Sequence, residues 1–267
     1  MGELGVERQV VIMMTDMVHY SNISGEMRPA EIFAFLSRYH TNICNILSEE
    51  CFQPVGIEPT GGDGSIMLFE RAEGEELSDI CTRALLAAMR LARAIGEGDL
   101  VPTRMGLMLG SIVEEELAGR IIKCGTCFAV ANRLEELSGY FGVNFLMDRE
   151  ISRYQKGFDD LVVNVAKVSL TSVPHPLNLF TVYTPGNLLI PEGVDMERLK
   201  YFIRKKNAAM EFFSGNQLEG ILPDFPRVRE ELIEAQAIFE EITGTEDMST
   251  ARILEYIREM PRPAMSF

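Results

Sequence analysis

Short apolar runs and longer amphipathic stretches alternate over the first two thirds of the chain. The run RQVVIMMTD at 8–16 is rich in β-formers and predicts a buried strand that carries Asp16 at its C-terminal end. Apolar residues then recur at helical spacing over about 32–47, and Pro29 suits the first turn of that helix.

Two further strand-like runs, at 51–58 and 65–69, flank the segment PTGGDG. Its glycines allow positive φ angles, which favours a hairpin with Asp63 at the tip. A strand end and the tip of a neighbouring hairpin can converge, because adjacent strands lie about 4.8 Å apart.

The pattern continues with elements that complete one sheet. A helix over about 76–95, closed by Gly96, precedes strands near 103–109 and 111–115, a helix at 125–139, a strand at 143–147, a short helix at 149–154 and strands at 161–168 and 177–183. The order βαββαβ predicts an α+β fold with a ferredoxin-like unit, extended by further C-terminal strands and a helix.

The composition changes to Pro, Gly and Asn around 184–194, which predicts a linker. Apolar stripes at 199–213, 228–242 and 253–257 then predict a helical extension. We therefore expect one domain over 1–184, and a linker with a helical extension over 185–267.

Charge and composition narrow the class of protein. The formal net charge is -15, which argues against binding to nucleic acid or to an anionic membrane. No apolar run is long enough to insert into a membrane, and the start MGELGV has no signal-peptide pattern. Five cysteines, an odd number, make a disulfide framework improbable, so a cytoplasmic location is expected.

Two carboxylates held side by side repel each other unless a cation neutralises them. Hard oxygen ligands suit Mg²⁺ or Mn²⁺ carrying the phosphates of a nucleotide. Asp16 and Asp63 are therefore candidate metal ligands, although a strand-end and a turn aspartate need no metal.

Four blocks of sequence resemble the motifs of the class III adenylate/guanylate cyclases, in the family's order and over about 8–183. VVIMMTDMVHYSNIS is similar to the first metal motif, and TGGDGSIMLF to the second. RMGLMLGSIV resembles the Arg-x-Gly-x-x-x-Gly strand pair, and AVANRLEELSGYFGVNFLMDREI the helix and strand with the transition-state residues. The resemblance implies the nucleotidyl cyclase fold.

The resemblance also implies an activity and roles for residues. ATP or GTP would be cyclised by attack of the ribose 3′-hydroxyl on the α-phosphate, at a site shared by two protomers of a homodimer. Asp16 and Asp63 would bind the metal and Arg133 would stabilise the transition state. The nucleotide would contact Met17, Val18, His19, Tyr20, Ser21 and Gly62.

The sequence departs from the family at several of its usual positions. Pro59 and Ile122 stand where base-reading residues are usual, and Ala129 replaces the asparagine that orients the ribose. His19 replaces a glycine of the first motif. Weakened or lost turnover is therefore expected, since each missing polar contact costs about 1–3 kcal/mol.

Two other functions remain open at this point. One is a non-catalytic cyclase-homology module that serves in regulation or dimerisation. A more remote one is a diguanylate-cyclase-like enzyme, because Gly61-Gly62-Asp63 resembles part of that family's turn, although Gly64 does not. Cys124 and Cys127 form a C-x-x-C pattern that we interpret as packing, and His40 and His175 receive no role.

Overall fold

The computed structural model describes residues 7–60, 62–117, 119–171, 173–215, 220–259 and 262–267. The start MGELGV, from which no signal peptide is predicted, lies outside these ranges. Gly61, part of the segment that resembles diguanylate cyclases, lies outside them too. The first part of the fold consists of β1 Glu7–Met17, α1 Tyr20–Ser24, α2 Pro29–Ile46, β2 Val55–Pro59, β3 Ser65–Phe69, α3 Leu77–Glu97 and β4 Thr103–Leu117.

The second part adds strands on the far side of β4 and three long C-terminal helices. It consists of β5 Arg120–Cys124, α4 Thr126–Phe141, β6 Phe145–Met147, α5 Arg149–Tyr154, β7 Val162–Ser169, β8 Leu177–Val182, α6 Met196–Ser214, α7 Phe225–Thr243, α8 Met248–Glu259 and β9 Met265–Ser266. Short 3₁₀ turns lie at Glu50–Phe52 and Asp159–Leu161.

The nine strands of the described ranges form one sheet, in the order β2-β3-β1-β4-β6-β8-β7-β9, with β5 paired to β4. The first four strands lie in the order of a ferredoxin-like unit, and among these nine strands the pairs β4–β6 and β7–β9 are parallel and the others antiparallel. The α+β prediction, with additional strands after βαββαβ, is therefore confirmed.

Side chains of β1 alternate between two apolar layers. Val11 and Met13 pack in the core with α2 and α3, whereas Val10 and Ile12 pack in the smaller cluster under α4. Asp16 has the same parity as Val10 and Ile12, so the strand directs it to the α4 side.

The predicted break of β4 at Gly110 is wrong, because one strand runs through to Leu117. Gly106 and Gly110 instead face α4 at very short range. A Cβ on Gly106 would lie 2.2 Å from the Glu135 amide nitrogen, and one on Gly110 would lie 2.4 Å from the Cys127 Cβ. These glycines allow the helix to rest directly on the strand, and the strand β5 that follows was missed.

Two predicted boundaries also move. The strand predicted at 51–58 begins only at Val55, because residues 50–52 form a 3₁₀ turn. Helix α3 passes through Gly96 and ends at Gly98, which has a φ of 82° and supplies the left-handed cap.

The three C-terminal helices share one apolar core with α4, β7 and β8. At its centre the Lys206 ammonium, 0% exposed, lies 2.6 Å from the Asp247 carboxylate. Asp247 also accepts a hydrogen bond of 2.6 Å from the Tyr183 hydroxyl at the end of β8. No helix within the described ranges is long and apolar enough to cross a membrane. The domain boundary at 184/185 stays a prediction.

Candidate functional site

Asp16 and Asp63 converge at the end of the sheet. Asp16 is the penultimate residue of β1, and its neighbour Thr15 pairs with Ser65 at the start of β3. Asp63 lies in the hairpin before Ser65, separated from it by Gly64, and is near enough to Asp16 for the two carboxyl groups to interact electrostatically. Burial, together with the charge of Asp16, raises the pKa of Asp63 above its ordinary value.

The hairpin is closed by backbone contacts. The Thr60 amide donates to the Gly64 carbonyl at 2.9 Å, and the Gly62 amide donates to the Thr60 carbonyl at 2.6 Å. A Cβ on Gly64 would lie 2.6 Å from Thr60 Oγ1 and 3.1 Å from the Thr15 carbonyl oxygen. Glycine at this position thus lets the hairpin approach the end of β1.

Arg104 provides a cation at this acidic pair. It stands opposite Asp16 in the β1–β4 register, and its guanidinium forms an ion pair with the Asp16 carboxylate. Its Nε also lies 2.8 Å from Glu135 Oε1 on α4, although the two atoms are not aligned as a hydrogen bond. Arg104 therefore connects the strand that carries Asp16 with the helix that carries Arg133.

Glu135 is an almost fully buried acid, 4% exposed. The pKa of Glu135 is raised to about 7, mainly by burial; the Arg104 guanidinium opposes this rise, and the charges of Asp16, Glu136 and Asp63 add to it. The end of the sheet is thus strongly acidic, with one arginine for three carboxyl groups. Within the described ranges, no three or more His, Cys, Asp and Glu side chains group as ligands of one metal ion.

The turn after β1 has an unusual backbone. His19 has a φ of 61° and a ψ of 24°, in the left-handed region that favours glycine. Its carbonyl accepts from the amides of Asn22 and Ile23, at 3.0 and 3.1 Å, and so begins the short helix α1. The predicted contacts Val18, Tyr20 and Ser21 surround this turn, directly after Met17.

Arg133 forms no ion pair with Asp16 or Asp63 within the described residues. It is exposed on α4 and forms an ion pair with Glu136, one turn further along the helix. Arg133 and Ala129 line a cleft of about 560 Å³, together with Met14 and Phe128. A single chain therefore holds Asp16 and Asp63 together, and presents Arg133 on its surface.

A larger cleft of about 850 Å³ adjoins the first, and Met14 and Phe128 line both. Ile122 is one of its walls. Lys123 and Glu58 also line it, and they form an ion pair between β5 and β2. Pro59 ends β2 opposite Ser65.

Sequence reasoning missed three residues of this region: Arg104, Glu135 and His40. Arg104, Gly106 and Gly110 lie on the same face of β4, the face that packs against α4. The spacing of the glycines therefore indicated on which face Arg104 lies. Glu135 is the one acidic residue among the buried positions of α4, whereas its neighbour Glu136 is exposed. His40 carries no such signal, because its contacts with the hairpin depend on how α2 packs.

No protein-family model and no curated protein matches the chain. Among solved structures, adenylyl cyclase CyaB from P. aeruginosa matches with a TM-score of 0.54 and 14% identity, over 67% of this chain and 96% of that one. A bacterial light-regulated adenylyl cyclase matches with a TM-score of 0.55 and 14% identity, over 75% and 99%.

The guanylate cyclase domain of RhGC from Catenaria anguillulae, in complex with GTP, matches with a TM-score of 0.52 and 16% identity, over 67% of this chain and 98% of that one. Each match spans nearly the whole of the cyclase chain. The protein thus has the fold of adenylyl and guanylyl cyclase domains, as the resemblance to the class III family implied.

Proposed function

We propose that this chain is a class III nucleotidyl cyclase-type domain that binds a metal–nucleoside triphosphate, ATP or GTP. The observation that carries the proposal is the meeting of Asp16 and Asp63 at the end of a sheet with the cyclase fold. The larger cleft is lined by Met14, two residues before Asp16 on β1, and would admit the remainder of a nucleotide.

The residues present fit a divalent cation. Two carboxylates and the neighbouring Met17 carbonyl are hard oxygen donors, which suit Mg²⁺ or Mn²⁺. The raised pKa of Asp63 marks a pair of acids that an added positive charge would stabilise. Asp16 and Asp63 would hold the cation, which would supply positive charge for the phosphates and for ionisation of the ribose hydroxyl.

The chain's own groups would position the phosphates. The turn of Val18, His19, Tyr20 and Ser21 follows Met17 directly, and Gly62 precedes Asp63 in the hairpin. Arg104 already lies at Asp16, so it can turn towards a phosphate once a cation takes over that carboxylate.

A homodimer would complete the site. Arg133 is exposed, and among the described residues it pairs only with the exposed Glu136. The phosphates of a nucleotide bound to a partner protomer could therefore replace Glu136 as its partner. There Arg133 would stabilise the charge that develops on phosphorus. Among the neighbouring structures is a guanylyl cyclase domain of Blastocladiella emersonii described as a non-canonical dimer.

We propose in addition that turnover is weak or lost. The side chain of Ile122 offers no hydrogen bond to a base in the larger cleft, and that of Ala129 offers none to a ribose in the smaller one. A regulatory or dimerising module without turnover is therefore the second candidate, and the ion pair of Arg104 with Asp16 favours it.

The test is incubation of the chain with Mn²⁺ and either ATP or GTP, followed by chromatography for the cyclic product. If the chain is an enzyme, Asp16→Ala and Asp63→Ala each lose at least about 100-fold of the activity, since each removes a ligand of the cation. Asp99→Ala, at an exposed aspartate before β4, is the matched control and keeps wild-type activity.

Each outcome selects one of the two candidates. Product formation that depends on both aspartates excludes the non-catalytic module. Metal-dependent nucleotide binding without any product excludes the enzyme. Nucleotide binding that neither substitution weakens contradicts the site itself.

A further inference from the structure

His40, on α2, lies against the hairpin that carries Asp63. Its Nδ1 is 3.0 Å from the Ser65 hydroxyl, and its Nε2 is 3.2 Å from the Gly62 carbonyl oxygen. These partners stand on the two sides of Asp63 in the chain. One imidazole therefore spans the segment that presents the carboxylate.

The partners fix the roles of the two ring nitrogens. A carbonyl oxygen only accepts hydrogen bonds, so Nε2 carries the proton and donates it to Gly62. Nδ1 of the neutral ring then accepts from the hydroxyl of Ser65, which is 0% exposed. The ring thus satisfies a buried hydroxyl and a turn carbonyl at the same time.

Helix α2 is also anchored at the other half of the acidic pair. The hydroxyl of Tyr39, next to His40, lies 3.1 Å from Thr103 Oγ1, and Thr103 pairs with Met17 in the sheet. Because adjacent helical residues hold a fixed relative position, α2 relates the end of β1 to the hairpin.

The hairpin's own hydrogen bonds do not provide this relation. The bonds between Thr60, Gly62 and Gly64 close the turn upon itself. The β1–β3 ladder holds Ser65 opposite Thr15, and His40 adds a contact with Ser65 and one with Gly62 in the turn itself.

We propose that His40 is a positioning residue that holds Asp63 at the distance from Asp16 which a shared cation requires. This inference rests on the metal site of the proposed function. It adds a residue outside the four motif blocks, on a helix to which the sequence assigned only packing.

The test uses the full chain without nucleotide and has two readouts. One is the affinity for Mn²⁺, measured from the electron paramagnetic resonance signal of the free ion. The other is amide hydrogen exchange of a peptide that covers the hairpin, followed by mass spectrometry. His40→Phe keeps a ring but loses both hydrogen bonds, so we expect about fivefold weaker Mn²⁺ binding and about fivefold faster exchange.

Two variants serve as controls. The amide nitrogen of His40→Gln reaches as far as Nε2 and can donate to Gly62, so both readouts return to within about twofold of wild type. Ile43→Val removes one buried methylene from the same helix; it lowers the unfolding temperature but changes neither readout.

The role of His40 would be overturned if the hairpin of His40→Phe exchanged its amide hydrogens at the wild-type rate. It would also be overturned if Ile43→Val changed both readouts as much as His40→Phe does. If wild-type protein binds no Mn²⁺ in a manner that depends on Asp16, the proposed metal site itself fails. Faster hairpin exchange in His40→Phe together with unchanged Mn²⁺ affinity would also reject the positioning role.

Discussion

Arg104 gives Asp16 a cationic partner within the chain, and Glu135 offers Arg104 a second carboxylate. A metal ion at Asp16 therefore competes with an arginine that can be held elsewhere. The side chains of Arg104 and Asp16 are 33% and 32% exposed, so solvent weakens their ion pair but does not abolish it.

This competition predicts that substitutions of Arg104 and of Glu135 change the affinity for Mn²⁺ in opposite directions. Arg104→Gln frees Asp16, so Mn²⁺ binding without nucleotide becomes about fivefold tighter, and Glu135→Gln leaves Arg104 at Asp16, so binding becomes about fivefold weaker. Isothermal titration of each variant measures both effects.

The double variant, Arg104→Gln with Glu135→Gln, tests whether Glu135 acts by holding Arg104 away from Asp16 or only through its own charge. If Glu135 acts through Arg104, then Glu135→Gln changes nothing in the Arg104→Gln background. Additive effects would mean that the charges act on the metal independently, and two substitutions with the same sign would contradict the competition.

Much of the candidate site follows from local sequence. A strand that ends in Asp16 and a glycine-rich turn around Asp63 are patterns within a few residues, and the structure has Asp16 near the end of β1 and Asp63 between β2 and β3. The contacts of His40 and of Glu135 are different, because they depend on the packing of α2 and α4 across the sheet. No periodicity within one segment records such packing.

Among the elements, β4 and α4 are joined by unusually direct contact. Gly106 and Gly110 lie four residues apart on the same strand face, and each meets α4 where a side chain would not fit. The glycines of the Arg-x-Gly-x-x-x-Gly block are thus explained by close packing of a helix on a strand.

Gly106→Ala is therefore expected to destabilise the protein strongly. Its Cβ would lie 2.2 Å from the Glu135 amide nitrogen and 2.3 Å from the Ala131 carbonyl oxygen, which are backbone atoms that cannot move alone. We expect a loss of about 3 kcal/mol in the free energy of unfolding, measured by urea denaturation.

Gly56→Ala in β2 is the matched control, because no heavy atom lies within 4 Å of the added Cβ. Its free energy of unfolding should change by no more than about 1 kcal/mol. Similar losses in the two variants would show that α4 can shift away from β4.

The same contact explains why the sequence misplaced a strand boundary. Gly110 resembles a turn, and a turn there would divide β4 into the two predicted strands. Glycine is needed there because Cys127, in the first turn of α4, packs against the strand. Helix α5 shows the opposite case: Asp148 accepts from the Ile151 amide as a local cap, and the helix was predicted at its observed bounds.

At the scale of the whole molecule, the C-terminal helices are joined to the sheet by a buried polar network. Asp247, at the start of α8, accepts from Lys206 of α6 and from Tyr183 at the end of β8. Burial lowers the pKa of Lys206, while the Asp247 carboxylate raises it. The network ties three elements that are distant in sequence.

Lys206→Met keeps most of the volume but leaves the Asp247 carboxylate without its cation. We expect a loss of about 3–5 kcal/mol in the free energy of unfolding, since a buried charge loses its partner. Lys205→Met, next to it and paired with Glu231 and Glu234 nearer the surface, should cost less than about 1 kcal/mol. Chemical denaturation of the two variants compares them, and equal losses would contradict the inferred importance of the buried pair.

The irregular pairing of β7 with β8 has a consequence for the order in which the chain becomes stable. At the irregularity, the side chain of Asn207 on α6 accepts from the Asn164 amide at 2.7 Å and donates to the Val162 carbonyl at 2.8 Å. Those strand groups leave the ribosome some forty residues before the asparagine that satisfies them. During synthesis, this edge of the sheet therefore stays open to water, and to neighbouring nascent chains, until α6 emerges.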